Sequence, residues 1–184
     1  MTARGVAPGF IVLLAALTML SPFVTDTYVP AINAARESLN ATAIETQQTL
    51  SAYMLGLAIM ALWHGAISDA VGRRPVMLGG LAIYTMGALG CALATSIDAL
   101  IGFRFITGLA GGVGMVLTRA IVRDMLDGAA AQRLLLHIRV MFGLAPAIAP
   151  ILGGWMFELF GWRSIFWFVC RWVGAHRLVF CCPA

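Results

Sequence analysis

Four stretches of this chain contain no Asp, Glu, Lys or Arg: Gly5 to Thr25, Thr46 to Ser68, Pro75 to Ile97, and Val140 to Phe157. A helix of roughly 18 to 20 apolar residues crosses a hydrocarbon core of about 30 Å, so each stretch approaches or exceeds what a membrane span needs. A fifth stretch, Ala99 to Thr118, is equally long and carries one charge, Arg104. A single soluble core cannot hide so much apolar surface, because 61% of the residues are hydrophobic and only 11% charged, whereas soluble domains carry about 25% charge. The pattern predicts an all-α membrane protein.

The spans are expected near Gly9 to Asn33, Thr46 to Ser68, Val76 to Ser96, Leu100 to Ile121 and Leu134 to Phe157. Short connections make sequential neighbours antiparallel. With a cytoplasmic N-terminus, Arg4, Arg73, Arg74, Arg119, Arg123, Arg133 and Arg139 fall inside, and Arg36 and Arg163 outside. Arginine bias therefore fixes an N-in orientation. The same bias accounts for the formal charge of +4 without a nucleic-acid partner, since all twelve basic residues are Arg and most flank the apolar runs.

A cleaved signal peptide does not fit residues 1 to 25, whose apolar region is too long and is followed by further spans. Cys91, Cys170, Cys181 and Cys182 have no metal or disulfide spacing. The terminal Cys181-Cys182-Pro183-Ala184 and the triplet Asn40-Ala41-Thr42 match lipidation and glycosylation patterns only formally. The chain contains no phosphate-binding loop, metal cluster or nucleophile-base pair, so an enzyme is not expected, and neither is a cofactor.

The sharpest motif joins spans 2 and 3: Gly65-Ala66-Ile67-Ser68-Asp69-Ala70-Val71-Gly72-Arg73-Arg74-Pro75. Gly72 permits a turn with positive φ, Pro75 suits a first helical turn, and Asp69 can accept from free amides near that turn. An ordinary turn with positive-inside arginines is the plainer account.

This stretch resembles the cytoplasmic signature of the major facilitator superfamily in its drug/proton antiporter form. Three further stretches agree with it. Thr25-Asp26-Thr27-Tyr28-Val29-Pro30-Ala31 resembles the acidic motif of the Bcr/CflA multidrug efflux group. Arg104, with Arg119-Ala120-Ile121-Val122-Arg123-Asp124, resembles that group's arginine motif and the run after it. Ala145-Pro146 through Gly153-Gly154 resembles the antiporter motif of span 5. The chain departs from the pattern at Ala61, Ala66, Ala70 and Arg139.

The resemblance implies an N-terminal six-helix half of a twelve-helix transporter in the bacterial inner membrane. Its partners would be a drug-like small molecule, protons, the lipid bilayer and a C-terminal six-helix half, with the proton gradient as energy source. An uptake or metabolite transporter, or a non-transporting membrane fragment, are the alternative readings.

An intramembrane charge costs about 2.5 to 3.5 kcal/mol on insertion scales, so Asp26 and Arg104 are expected to face a cavity, pair or handle protons. Helix rise puts Asp26 about 25 Å above Gly9 and Arg104 about 6 Å below the outer start of span 4, at comparable depth. Asp26 is expected to couple protons to substrate, with Arg104 tuning its proton affinity. Snorkelling at the outer mouth is the plainer account of both. Arg119 and Arg123 share one helix face, and by resemblance would join Asp69 in a cytoplasmic gate. Pro146, Pro150, Gly153 and Gly154 suit a pivot, whereas His64 and His137 read as packed or interfacial. Small residues such as the Gly108 to Gly114 cluster are expected to let helix backbones approach.

Residues 1–169 form the expected bundle, with a sixth helix starting near Gly161. Only seven uncharged residues separate Arg163 from Arg171. Residues 170–184 are therefore expected to be an aberrant tail from a disrupted reading frame, a natural short sixth helix being the alternative.

Overall fold

The computed structural model describes residues 8–181, with the side chains of residues 8, 10 and 177–181 excepted. Arg4 and the end of the formal lipidation box lie outside the described residues. The described chain is helical: α1 Pro8–Tyr28, a 3-10 turn Val29–Ala31, α2 Ile32–Ser38, α3 Ala43–Val71, α4 Arg73–Leu93, α5 Ile97–Met125, α6 Gly128–Phe160 and α7 Arg163–Cys181. Five spans are long and apolar enough to cross a membrane, the first running continuously as Ile11–Ser38.

Helix boundaries follow local chemistry. Thr42 caps α3 by accepting from the Glu45 amide at 3.2 Å, while the Glu45 carboxylate accepts from the Thr42 amide at 2.7 Å. This reciprocal box satisfies two free amides and explains why Thr42 stands in the formal glycosylation triplet. Gly72 ends α3 with φ 103 and opens directly into α4, with Pro75 in the first turn of α4. Ser96 caps α5 through the Ala99 amide.

Small residues set the crossings. A Cβ on Gly56 of α3 would lie 2.5 Å from the Phe105 carbonyl oxygen, and one on Gly108 of α5 would overlap the Tyr53 carbonyl. Gly114 meets the Leu17 carbonyl of α1 in the same way. The small-residue expectation for this cluster is thus met at the α3–α5 and α1–α5 contacts, where backbones touch.

α7 is not among the five helices long and apolar enough to cross a membrane, yet the chain stays helical past Cys170. It runs unbroken to Cys181. Phe166, Val169, Cys170 and Val173 are buried, with Val169, Cys170 and Val173 in one cluster with Met77, Leu81 and Tyr84 of α4. These positions follow i, i+3, i+4, i+7 spacing, so one apolar stripe is enough to seat the helix while Arg171 stays exposed. The start of α7 is pinned too: the Trp162 indole donates to the Ser38 hydroxyl at 2.9 Å, and Arg163 donates to the Ala94 carbonyl at 3.0 Å.

Candidate functional site

Arg104 sits on the inner face of α5 at 1% exposure. Its guanidinium carbon lies 4.0 Å from the Tyr28 ring centroid, 5.1 Å from Phe166 and 5.7 Å from Tyr53. Three aromatic faces from α1, α3 and α7 thus surround one cation, an arrangement whose attraction grows when water is excluded. The cage is braced by a 2.6 Å hydrogen bond between the Ser21 and Tyr53 hydroxyls. Tyr53 and Phe166 are members that the motifs did not single out. Their signal was only aromatic character within the spans.

Asp26 does not pair with Arg104. Its side chain is partly exposed, while its neighbours Thr27 and Tyr28 turn inward to α6 and the cage. Among the described residues no cation forms an ion pair with it. Equal depth placed the two charges correctly along their axes, but they occupy different faces: one is sealed within this chain, the other lies on its accessible side.

The latch between α3 and α4 forms around Arg73. Its guanidinium pairs with Asp69, bonds the Ser68 hydroxyl and donates from Nε to Asp124 at 3.0 Å. One side chain therefore ties the end of α3 and start of α4 to the end of α5. Gly72 makes the turn, Gly65 lies about two helical turns earlier with its carbonyl accepting from the Ser68 hydroxyl, and Arg74 is exposed beside Arg73. Asp69 thus faces Arg73 across the turn. The acid that completes the network is Asp124, from the same inner-end cluster as Arg119 and Arg123, and its partner is Arg73 rather than either of those.

Those two arginines instead line a cavity of about 360 Å³ between α1, α5 and α6, together with Arg139. Farther along α6, Ala145, Ala149 and Gly153 are buried, and a Cβ on Gly153 would overlap the Thr27 carbonyl. One position over, Pro146 and Pro150 are exposed and Gly154 has open space around it. The glycine pair therefore divides: Gly153 serves the α1 contact and Gly154 does not. α6 remains continuous through both prolines.

Known proteins are similar to this chain in sequence and in fold. The family model described as Major Facilitator Superfamily matches residues 14–171. The Bicyclomycin resistance protein homolog of Haemophilus influenzae is 32% identical over 160 residues, covering 87% of this chain and 40% of that protein. The Chloramphenicol resistance protein of Pseudomonas aeruginosa is 33% identical, covering 86% and 38%. The Multidrug resistance protein MdtL of Escherichia coli is 31% identical, covering 86% and 40%. Among solved structures, the human organic anion transporter MFSD10 superposes with a TM-score of 0.73 at 22% identity, over 93% of this chain and 46% of that one. This chain spans about two fifths of the length of the curated relatives it matches. With its helical half-fold, its charged latch between α3 and α4, and a family match over most of its length, the chain belongs to the Major Facilitator Superfamily.

Proposed function

We propose that this chain is the N-terminal half of a proton-coupled exporter of drug-like molecules in the bacterial inner membrane, acting with a second six-helix half. The observation that carries the reading is Asp26: a carboxylate within a membrane span, partly exposed and without an ion-pair partner among the described residues. A carboxylate so placed can exchange a proton with a cavity and be displaced from its ionised form when substrate occupies the same space. The resistance names of the relatives support export of toxic small molecules.

In this reading Arg104 acts on Asp26 indirectly. It fixes Tyr28, two residues along α1, and so sets how the outer half of that helix presents Asp26. The Arg73 latch holds the inner ends of α3, α4 and α5 as one body, and the Pro146-Pro150-Gly154 face of α6 is where the second half rocks against this one.

The test is Asp26→Asn in the protein that joins this half to its second half. Proton-driven efflux in inverted vesicles is expected to fall at least tenfold, with substrate still bound at equilibrium. Efflux at the unmodified rate would end the coupling role.

A further inference from the structure

The cavity between α1, α5 and α6 is a second chemical environment, separate from both the Arg104 cage and Asp26. It is lined by Thr18 of α1, Met115, Thr118, Arg119 and Arg123 of α5, and Leu135, Ile138, Arg139 and Phe142 of α6. Along α1, Thr18 lies eight residues inward of Asp26, about 12 Å at helical rise. Along α5, Arg119 lies about 22 Å inward of Arg104.

Three guanidinium groups share this one cavity, and no carboxylate lines it. The nearby acid Asp124 is engaged by Arg73, and the exposed Asp127 does not line the cavity. Among the described residues Arg119, Arg123 and Arg139 form no ion pair. Like charges gathered at a concave, partly apolar surface create a focused positive potential, which an anion relieves. Arg119 and Arg123 can be read as ordinary inner-end arginines. Arg139 cannot be read so simply, because it stands eleven residues inside α6, directly before the uncharged run that begins at Val140.

Apolar side chains of the same two helices make up much of the remaining lining: Met115, Leu135, Ile138 and Phe142. At about 360 Å³ the cavity is of the size that takes a small organic molecule. We propose that it binds an amphiphilic organic anion, whose carboxylate, sulfonate or phosphate group is held by Arg119, Arg123 and Arg139 while its apolar body lies against α5 and α6. Guanidinium forks suit such oxyanions because they can donate two parallel hydrogen bonds. The charged group comes from a soluble anion or from an anionic phospholipid, and the chemistry at the arginines is the same for both. This site concerns binding to this chain alone and does not depend on coupled efflux.

The test uses the purified chain in nanodiscs of phosphatidylcholine, titrated with naphthalene sulfonate, its uncharged methyl sulfone and naphthylmethylammonium. The sulfonate is expected to bind at least tenfold more tightly than either analogue and to weaken as salt rises. Arg139→Gln should reduce sulfonate affinity at least tenfold, Arg139→Lys less, and Arg133→Gln, outside the cavity, not at all. Because Arg139 is exposed, helix content by circular dichroism should be unchanged in each variant. Nanodiscs containing phosphatidylglycerol separate the sources: competition with the sulfonate assigns the site to lipid, and its absence to a soluble anion. Equal affinity for all three naphthalene probes would overturn the proposal, as would equal losses in the Arg133 and Arg139 variants.

Discussion

A buried arginine enclosed by aromatic rings poses a problem of energy at the residue scale. Burying its charge costs several kcal/mol after relaxation, while cation–π contacts return about 0.5 to 2 kcal/mol. No carboxylate closes the gap for Arg104 among the described residues. Arg104→Met keeps most of the volume and removes the charge, so the thermal midpoint of the detergent-solubilised chain is expected to hold or rise. Arg104→Ala leaves a cavity against Tyr28 and Phe166, and should cost about 2 to 5 kcal/mol. In the assembled transporter Arg104→Met should nonetheless lower efflux, because Tyr28 loses the group that orients it. A methionine variant that unfolds would show that the cation is needed for the fold itself. The depth of Arg104 and Asp26 was legible in the sequence from helical rise. Their separation was not, since the facing of α1 and α5 is set by the Gly114 contact with the Leu17 backbone, a feature of packing.

At the scale of elements, spacing told more than run length. The gap between Arg163 and Arg171 leaves α7 outside the set of membrane-length apolar helices, while the stripe Phe166, Val169, Cys170, Val173 seats its first turns on α4 and beside α1, where Trp172 meets Phe23 edge-on at 4.9 Å. Counting uncharged residues finds helices surrounded by lipid, whereas a helix that leans on its neighbours needs only one apolar face. The latch was legible because its residues are contiguous. Asp124 was harder to assign because its link to Arg73 crosses 51 positions of sequence. In α6 the adjacent glycines offer a direct comparison of packing with open space. Gly153→Leu drives a side chain into the Thr27 backbone and should cost at least about 1 to 3 kcal/mol. Gly154→Leu meets nothing within 4 Å, and should leave the melting of this chain unchanged. Thermal unfolding followed by circular dichroism distinguishes them, and equal midpoints would mean that α1 and α6 do not pack closely in the membrane.

For the whole molecule, the distribution of burial says which surfaces look for company. The apolar windows of α1 and α5 are 56% buried within the chain, whereas those of α3 and α6 are only 17% buried. α1 and α5 thus form the centre of this half, and α3 and α6 present Leu62, Trp63, Ile151 and Trp155 outward, to lipid or to another helical bundle. Orientation follows from charge rather than packing. The turn at Gly72 and the connection at Asp127 lie at the end of the bundle that holds Arg73, Arg74, Arg119, Arg123 and Arg133, and the connection at Ala94 to Ser96 lies at the other. In the proposed orientation, which rests on positive-inside bias, the first end is cytoplasmic. Green fluorescent protein folds there but not after export through the general secretory route, so fusions after Gly72 and Asp127 should fluoresce and one after Thr95 should stay dark. Alkaline phosphatase fused at the same three positions should give the reverse pattern, because its disulfides form only outside the cytoplasm. Bright fluorescence after Thr95 would invert the bundle, placing the Arg73 latch and the three-arginine cavity on the outer side and removing the basis for a cytoplasmic gate.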